Sequence, residues 1–298
     1  MPTDRRTLLK GLVTAAAVSA VPVRSEARER RQAPEDAVGM LYDATRCIGC
    51  KTCTVACKDR AKLPADTDGY GGGLYDAPEG LNQYSKTVIQ LYREGNEYSY
   101  VKKQCMHCID PACVNACMLG SLTKGKYGIV DWDASRCVGC RYCQVACPHE
   151  VPKFEWANKA PKIVKCDFCR DRVEQGKSTA CAEQCPRDAI SFGKWTDLVK
   201  EGHRRIDAEP DKYVPKVYGE RELGGTQVLY LSHVPFEKLG FRYSDETAVP
   251  DAQQSVQNAV YRGFIAPVAL YGVLAAVLLR RRRAEGADTQ EGGEDGQE

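Results

Sequence analysis

The sequence predicts an α+β fold: two interleaved subdomains with a hairpin insert and a single C-terminal transmembrane helix. Three observations predict it. Sixteen cysteines fall into four groups of four, short strand-like segments flank those groups, and an uninterrupted apolar run near the C-terminus ends in four arginines. The groups are Cys47, Cys50, Cys53 and Cys57; Cys105, Cys108, Cys113 and Cys117; Cys137, Cys140, Cys143 and Cys147; and Cys166, Cys169, Cys181 and Cys185.

The first and third groups have the spacing C-x2-C-x2-C-x3-C, and Pro148 follows the third, as in bacterial two-cluster ferredoxins. The subdomains are therefore predicted to be bacterial-type (4Fe-4S) ferredoxin-like, with the sixteen cysteines as iron ligands of four [4Fe-4S] clusters. Two residues between cysteines let one short loop wrap three thiolates around a cluster. Gly49 and Gly139 lie inside such loops, where a residue without Cβ turns tightly. The third and fourth cysteines are i and i+4, a rise of roughly 6 Å on a helix. That displacement carries the fourth thiolate to a neighbouring cluster, so motifs share ligands in pairs.

Structural zinc normally uses two C-x2-C pairs with a long spacer, and three cysteines in C-x2-C-x2-C would crowd one ion. A disulfide framework suits an exported protein, but this chain is too long to need staples, and such frameworks rarely repeat one cassette. In the fourth group eleven residues separate Cys169 from Cys181. This is the least regular spacing, and it leaves both [4Fe-4S] and [3Fe-4S] open there.

In chain order, residues 1–27 read as a Tat signal peptide. Arg5 and Arg6 precede a modestly apolar stretch from Gly11 to Val23, and Ser25-Glu26-Ala27 offers a small-residue cleavage site. Asp4 and Leu8 depart from the usual residues of that element. Tat export carries folded proteins, so clusters can be inserted before the chain meets an oxidising compartment. Residues 40–195 form the four-cluster domain, with an insert at 58–104. Asp68 to Gly73 reads as loop. Thr87 to Tyr92, a turn at Glu94-Gly95-Asn96, and Tyr98 to Val101 read as a hairpin. Gly128 to Asp131 and Asp188 to Gly193 read as short strands.

Residues 196–258 form a C-terminal extension, in which Thr196 is expected to cap a helix reaching about Ile206 and Thr226 to Leu231 reads as a strand. A transmembrane helix is expected over 259–280. Its apolar core, Gly263 to Leu279, would reach roughly 26 Å against a hydrocarbon thickness of about 30 Å. Arg280 to Arg283 place its C-terminal end in the cytoplasm and the clusters on the periplasmic side of the inner membrane. The tail, 281–298, is polar, Gly-rich and without aromatics, and is expected to be disordered.

The net charge is +2, and no basic stripe with interleaved aromatics suggests nucleic-acid binding. No Walker loop, G-x-G-x-x-G or Ser-His-Asp arrangement stands out, so no catalytic residue is expected. His107, inside the second motif, can bond a cluster sulfur or fill space, and His149, His203 and His233 have no evident partners. Arg46, Arg136 and Lys165 precede the first cysteines of three motifs, where positive charge would stabilise a reduced cluster.

The cassette order, with CMHCIDPAC in motif two and CRYCQVACPHEVPK in motif three, resembles the four-cluster iron–sulfur subunits of respiratory oxidoreductases. GMLYDATRCIGC, YVKKQCMHC, GGTQVLYLSHVPFEKL and the single C-terminal helix are similar to the membrane-anchored subunits of the hydrogenase-2 type. The resemblance implies that motif one pairs with motif four, and motif two with motif three. One cluster would take Cys47, Cys50, Cys53 and Cys185, and a second Cys166, Cys169, Cys181 and Cys57. A third would take Cys105, Cys108, Cys113 and Cys147, and a fourth Cys137, Cys140, Cys143 and Cys117. Such subunits usually carry Pro after the fourth cysteine, whereas Lys58 and Met118 stand there in motifs one and two. The resemblance further implies a non-catalytic electron-transfer subunit of a periplasmic [NiFe]-hydrogenase. Its partners would be the small and large hydrogenase subunits, an integral membrane quinone-reactive subunit and the bilayer. The alternative is the same role beside a formate dehydrogenase or related molybdopterin enzyme.

Overall fold

The computed structural model describes residues 31–64, 78–156, 158, 161–241, 246–250, 267–268 and 270–280. The signal peptide expected at 1–27, the loop at 68–73 and the tail at 281–298 lie outside these residues, as does part of the span expected over 259–280. The described part of that span is helical, and its apolar side chains are exposed. Among the described residues no helix is long and apolar enough to cross a membrane. Residues 29–250 form one compact unit.

A three-stranded sheet organises that unit. Strand β1, Val38–Asp43, is central. The hairpin strands β2, Thr87–Glu94, and β3, Glu97–Gln104, follow it, then the short strands β4, Leu122–Lys124, and β5, Val130–Trp132. Next come β6, Lys153–Phe154, β7, Ile163–Val164, β8, Ile190–Lys194, and β9, Val228–Leu231. β8 runs antiparallel to β1 (Tyr42 opposite Ile190), and β9 runs parallel to it on the other side (Tyr42 opposite Tyr230). A parallel partner requires a long crossover connection, and nearly the whole cysteine-bearing domain supplies it.

β1 and β9 are buried on both faces, so neither shows polar alternation. Met40, Tyr42, Val228 and Tyr230 face the principal core with Phe168, Ile89 and Val101. Leu41, Leu229 and Leu231 face a second core with Leu198 and Ile206. Each such aliphatic side chain contributes roughly 1.5–3 kcal/mol by leaving water.

The second core is closed by the long helix Trp195–Ala208, which follows β8. Its cap is Lys194, not Thr196, and no side chain caps it. The Trp195 N–H donates instead to the Ala37 carbonyl at 2.9 Å, so the residue just before β1 satisfies a donor that a hydroxyl would otherwise take.

The predicted hairpin forms, longer than expected at its second strand, and turns through Gly95-Asn96 with Gly95 at φ +59°. Two tyrosines tie it to the sheet: Tyr42 donates to the Tyr100 carbonyl and Tyr230 to the Lys102 carbonyl, each at 2.8 Å. The strands expected at 128–131 and 188–193 appear one to two residues later, as β5 and β8.

Candidate metal centres

All four motifs share one local device. The residue two after each first cysteine has a left-handed backbone: Gly49 (φ +71°), His107 (+47°), Gly139 (+72°) and Phe168 (+53°). This conformation folds successive N–H groups inward and makes an anion-binding concavity. Gly49 and Phe168 aim their N–H groups at Cys47 Sγ and Cys166 Sγ, each at 3.5 Å. Glycine is required at Gly139, because a Cβ there would stand 2.7 Å from the Pro161 ring. At Gly49 it would stand 2.3 Å from the Tyr100 ring.

A short helix follows in each motif. In motif one, Lys51 is left-handed and helix α1, Thr52–Ala61, carries Cys53 and Cys57 one turn apart. In motif two, α2, Ala112–Asn115, carries Cys113. Motif three repeats the arrangement of motif one with a left-handed Arg141 and α3, Tyr142–Ala146, ending at Cys147. In motif four, α4, Arg170–Val173, comes first, and α5, Ala180–Glu183, carries Cys181. The fourth cysteines of motifs two and four accept N–H groups, from Ser121 to Cys117 Sγ at 3.2 Å and from Ala189 to Cys185 Sγ at 3.3 Å.

Tertiary packing sets α1 against α5 and α2 against α3. The thiols group accordingly. Burial pushes Cys57 up to about 12, and its thiol neighbours are Cys181 and Cys169 of motif four. Cys185 in turn faces Cys47 and Cys53, whose thiol is pushed up to about 11 by burial. Burial also takes Cys113 to about 12, with Cys105 and Cys147 beside it. Cys143 rises to about 12 through burial, beside Cys137, Cys140 and Cys117. Each fourth cysteine thus lies with the partner motif.

Such thiols lose their protons only to a strong local cation, and iron supplies one. Among the described residues no three His, Cys, Asp or Glu side chains gather closely enough to hold a single metal ion, as compact zinc would require. Free thiols in four motifs, each motif with a left-handed residue two after its first cysteine, are donor chemistry that fits [4Fe-4S] clusters.

Lys102 and Lys124 escape sequence reasoning. Lys102, Lys124 and Lys165 come near the thiols, Lys102 and Lys165 in the interior. Lys124 bonds the Cys108 carbonyl and Gln227 Oε1, both at 2.7 Å. Gln227 Nε2 donates to the Tyr127 carbonyl at 2.9 Å, and Gln227 N to the Met106 carbonyl at 3.1 Å. The GGTQV segment therefore braces motif two.

His107 is fully buried and accepts the Val130 N–H at Nδ1, 3.1 Å, while Nε2 has no hydrogen-bond partner among the described residues. His203 and His233 do have partners, Glu220 at 2.8 Å and the Tyr98 carbonyl at 3.0 Å. Arg46 and Arg136 reach Asp43 and Asp133, each at 3.4 Å, whereas Lys165 turns inward to the Cys166 carbonyl at 3.1 Å.

A family described as 4Fe-4S dicluster domain matches residues 96–195. The Hydrogenase-2 operon protein HybA of Escherichia coli O157:H7 is 35% identical over 329 aligned residues, covering 98% of this chain and 99% of that protein. The nitrate-inducible formate dehydrogenase iron-sulfur subunit of Escherichia coli K12 is 34% identical over 246 residues, covering 80% and 81%. The cysteine geometry and these likenesses agree: the chain carries [4Fe-4S] clusters and belongs to the electron-transfer iron–sulfur subunits of respiratory oxidoreductases.

Proposed function

We propose that this chain is the non-catalytic wire of a periplasmic membrane-bound [NiFe]-hydrogenase, with two interleaved subdomains holding four [4Fe-4S] clusters. The ligand sets are those named above: Cys47, Cys50, Cys53 and Cys185; Cys57, Cys166, Cys169 and Cys181; Cys105, Cys108, Cys113 and Cys147; and Cys117, Cys137, Cys140 and Cys143. When bound, each cluster takes up and passes on one electron.

The observation that carries the reading is the order of the sets. Cys53 neighbours Cys181, Cys166 neighbours Cys105, and Cys113 neighbours Cys143, which strings the four sets in a line. The two exposed cysteines, Cys50 and Cys140, belong to the two terminal sets. The line thus has an exposed cysteine at each end and only buried or half-buried ones in the two sets between. This suits entry of electrons from a catalytic subunit and exit to an integral membrane quinone-reactive subunit.

Near-complete coverage in both directions favours the hydrogenase reading, and the formate dehydrogenase likeness keeps a molybdopterin partner as the second reading. Anaerobic purification of the native complex is expected to yield about sixteen iron and about sixteen sulfide per chain, four of each per cluster, with nickel in the accompanying subunits. Zinc in place of iron, or iron near eight, would overturn the four-cluster assignment, and molybdenum in place of nickel would move the chain to the second reading.

Location is part of the same proposal: Tat export through Arg5 and Arg6, and anchoring by residues 259–280. Arg5→Lys combined with Arg6→Lys is expected to trap the chain in the cytoplasm, read by fractionation. Export at normal levels would exclude the twin-arginine route. Deletion of 263–279 is expected to release the chain as a soluble periplasmic species.

A further inference from the structure

We propose that Lys102 is a shared counter-charge for the two clusters of motifs one and four, raising the reduction potential of both. The proposal rests on the ligand sets given above. Lys102 lies on β3 and is 0% exposed. Its carbonyl is held by the Tyr230 hydroxyl, and its Nζ donates to Thr87 Oγ1.

The other lysines of the interior find carbonyl or amide oxygens. Lys58 reaches the Tyr84 carbonyl at 2.7 Å and the Pro64 carbonyl at 3.1 Å. Lys165 and Lys124 do likewise. An ammonium has three donors, and among the described residues Lys102 meets one neutral hydroxyl and no carboxylate. A buried charge in that position is costly unless an anion compensates it.

Its electrostatic neighbours are the thiols of Cys53 from one terminal set, and of Cys57, Cys166 and Cys181 from the next. Cys53 and Cys181 share a buried cluster with Val101, beside Lys102 on β3. Each thiol becomes an anion when it ligates iron. Thiolate ligation makes a cluster site anionic, and reduction adds one more negative charge. A fixed cation in a low-dielectric core favours that added charge. Lys102 faces both sets, so it acts on both clusters together. It is a positioning residue for charge and touches no substrate.

The test is an anaerobic redox titration of the full-length chain followed by electron paramagnetic resonance. In Lys102→Met the two near clusters are expected to become harder to reduce. Their reduced-to-oxidised ratio at a fixed potential should fall at least about tenfold, which is about 59 mV for one electron. The two clusters of motifs two and three should keep their potentials. Lys102→Arg, which retains the charge, should keep the iron content and the wild-type potentials.

Full iron with unmoved potentials in Lys102→Met would overturn the proposal, as would an equal shift of all four clusters. Loss of iron in both variants would mark Lys102 as a packing residue and also overturn it. Loss of iron in Lys102→Met with normal loading and potentials in Lys102→Arg would support it. A wild-type chain lacking the clusters of motifs one and four would break the ligand assignment, and this proposal with it.

Discussion

Cys57→Ser is expected to perturb the cluster at Cys166, Cys169 and Cys181, and to spare the one at Cys47, Cys50 and Cys53. Cys57 stands on α1, one turn beyond Cys53, and its thiol neighbours belong to motif four. Serine offers a harder, less acidic oxygen in place of the thiolate, so the motif-four site should convert or lose its cluster. In the proposed order of the sets this one is second from an end. Hydrogen-dependent quinone reduction by the proposed hydrogenase complex should therefore fall at least about tenfold, a barrier increase of about 1.4 kcal/mol or more. Hydrogen oxidation with an artificial dye that draws electrons directly from the catalytic subunits should persist. Loss of the Cys47-set signal, or unchanged quinone reduction, would contradict both the crossed ligation and the serial path.

Asp43→Ala is expected to be the most damaging substitution outside the cysteines. Asp43 ends β1, four residues before Cys47, and is fully buried. Its Oδ1 accepts the Thr45 N–H at 3.0 Å and the Thr45 hydroxyl at 2.6 Å. Its Oδ2 accepts Arg205 Nη1 at 3.1 Å and the Tyr213 hydroxyl at 3.0 Å. Alanine would take one of two carboxylates from the buried Arg205 guanidinium, which keeps Glu201 at 2.8 Å. Losing the whole partner of a buried pair costs roughly 3–5 kcal/mol, and Glu201 brings the expected loss to the lower end of that range. The guanidinium-chloride midpoint of the cluster-loaded chain should drop accordingly. Asp43→Leu together with Arg205→Met should recover most of the loss, because apolar replacement of a whole buried pair is often near neutral. A single variant within about 0.5 kcal/mol of wild type would show that the network adds little.

The hairpin at 87–104 was legible because both of its signals are local: β-branched and aromatic residues alternate toward a glycine turn. β1 was not legible, because a strand buried on both faces has no alternation to read. The start of the long helix was misplaced by two residues, since its first N–H is satisfied by a carbonyl distant in sequence, at Ala37.

By itself the sequence determined the thiol inventory, the left-handed turns at Gly49 and Gly139, and the one-turn offset between third and fourth cysteines. These follow from ligand spacing and from backbone conformations that few residues adopt, both confined to a handful of neighbours. Only the tertiary structure decided which motif each fourth thiol lies beside, because that depends on α1 meeting α5 and α2 meeting α3 across the chain. It also decided that β9 would close the sheet beside β1, and that Lys102, a surface residue by composition, would be buried with four thiols as its electrostatic neighbours. Long-range pairing leaves no periodic trace in sequence, so those facts exist only once the core has closed around them.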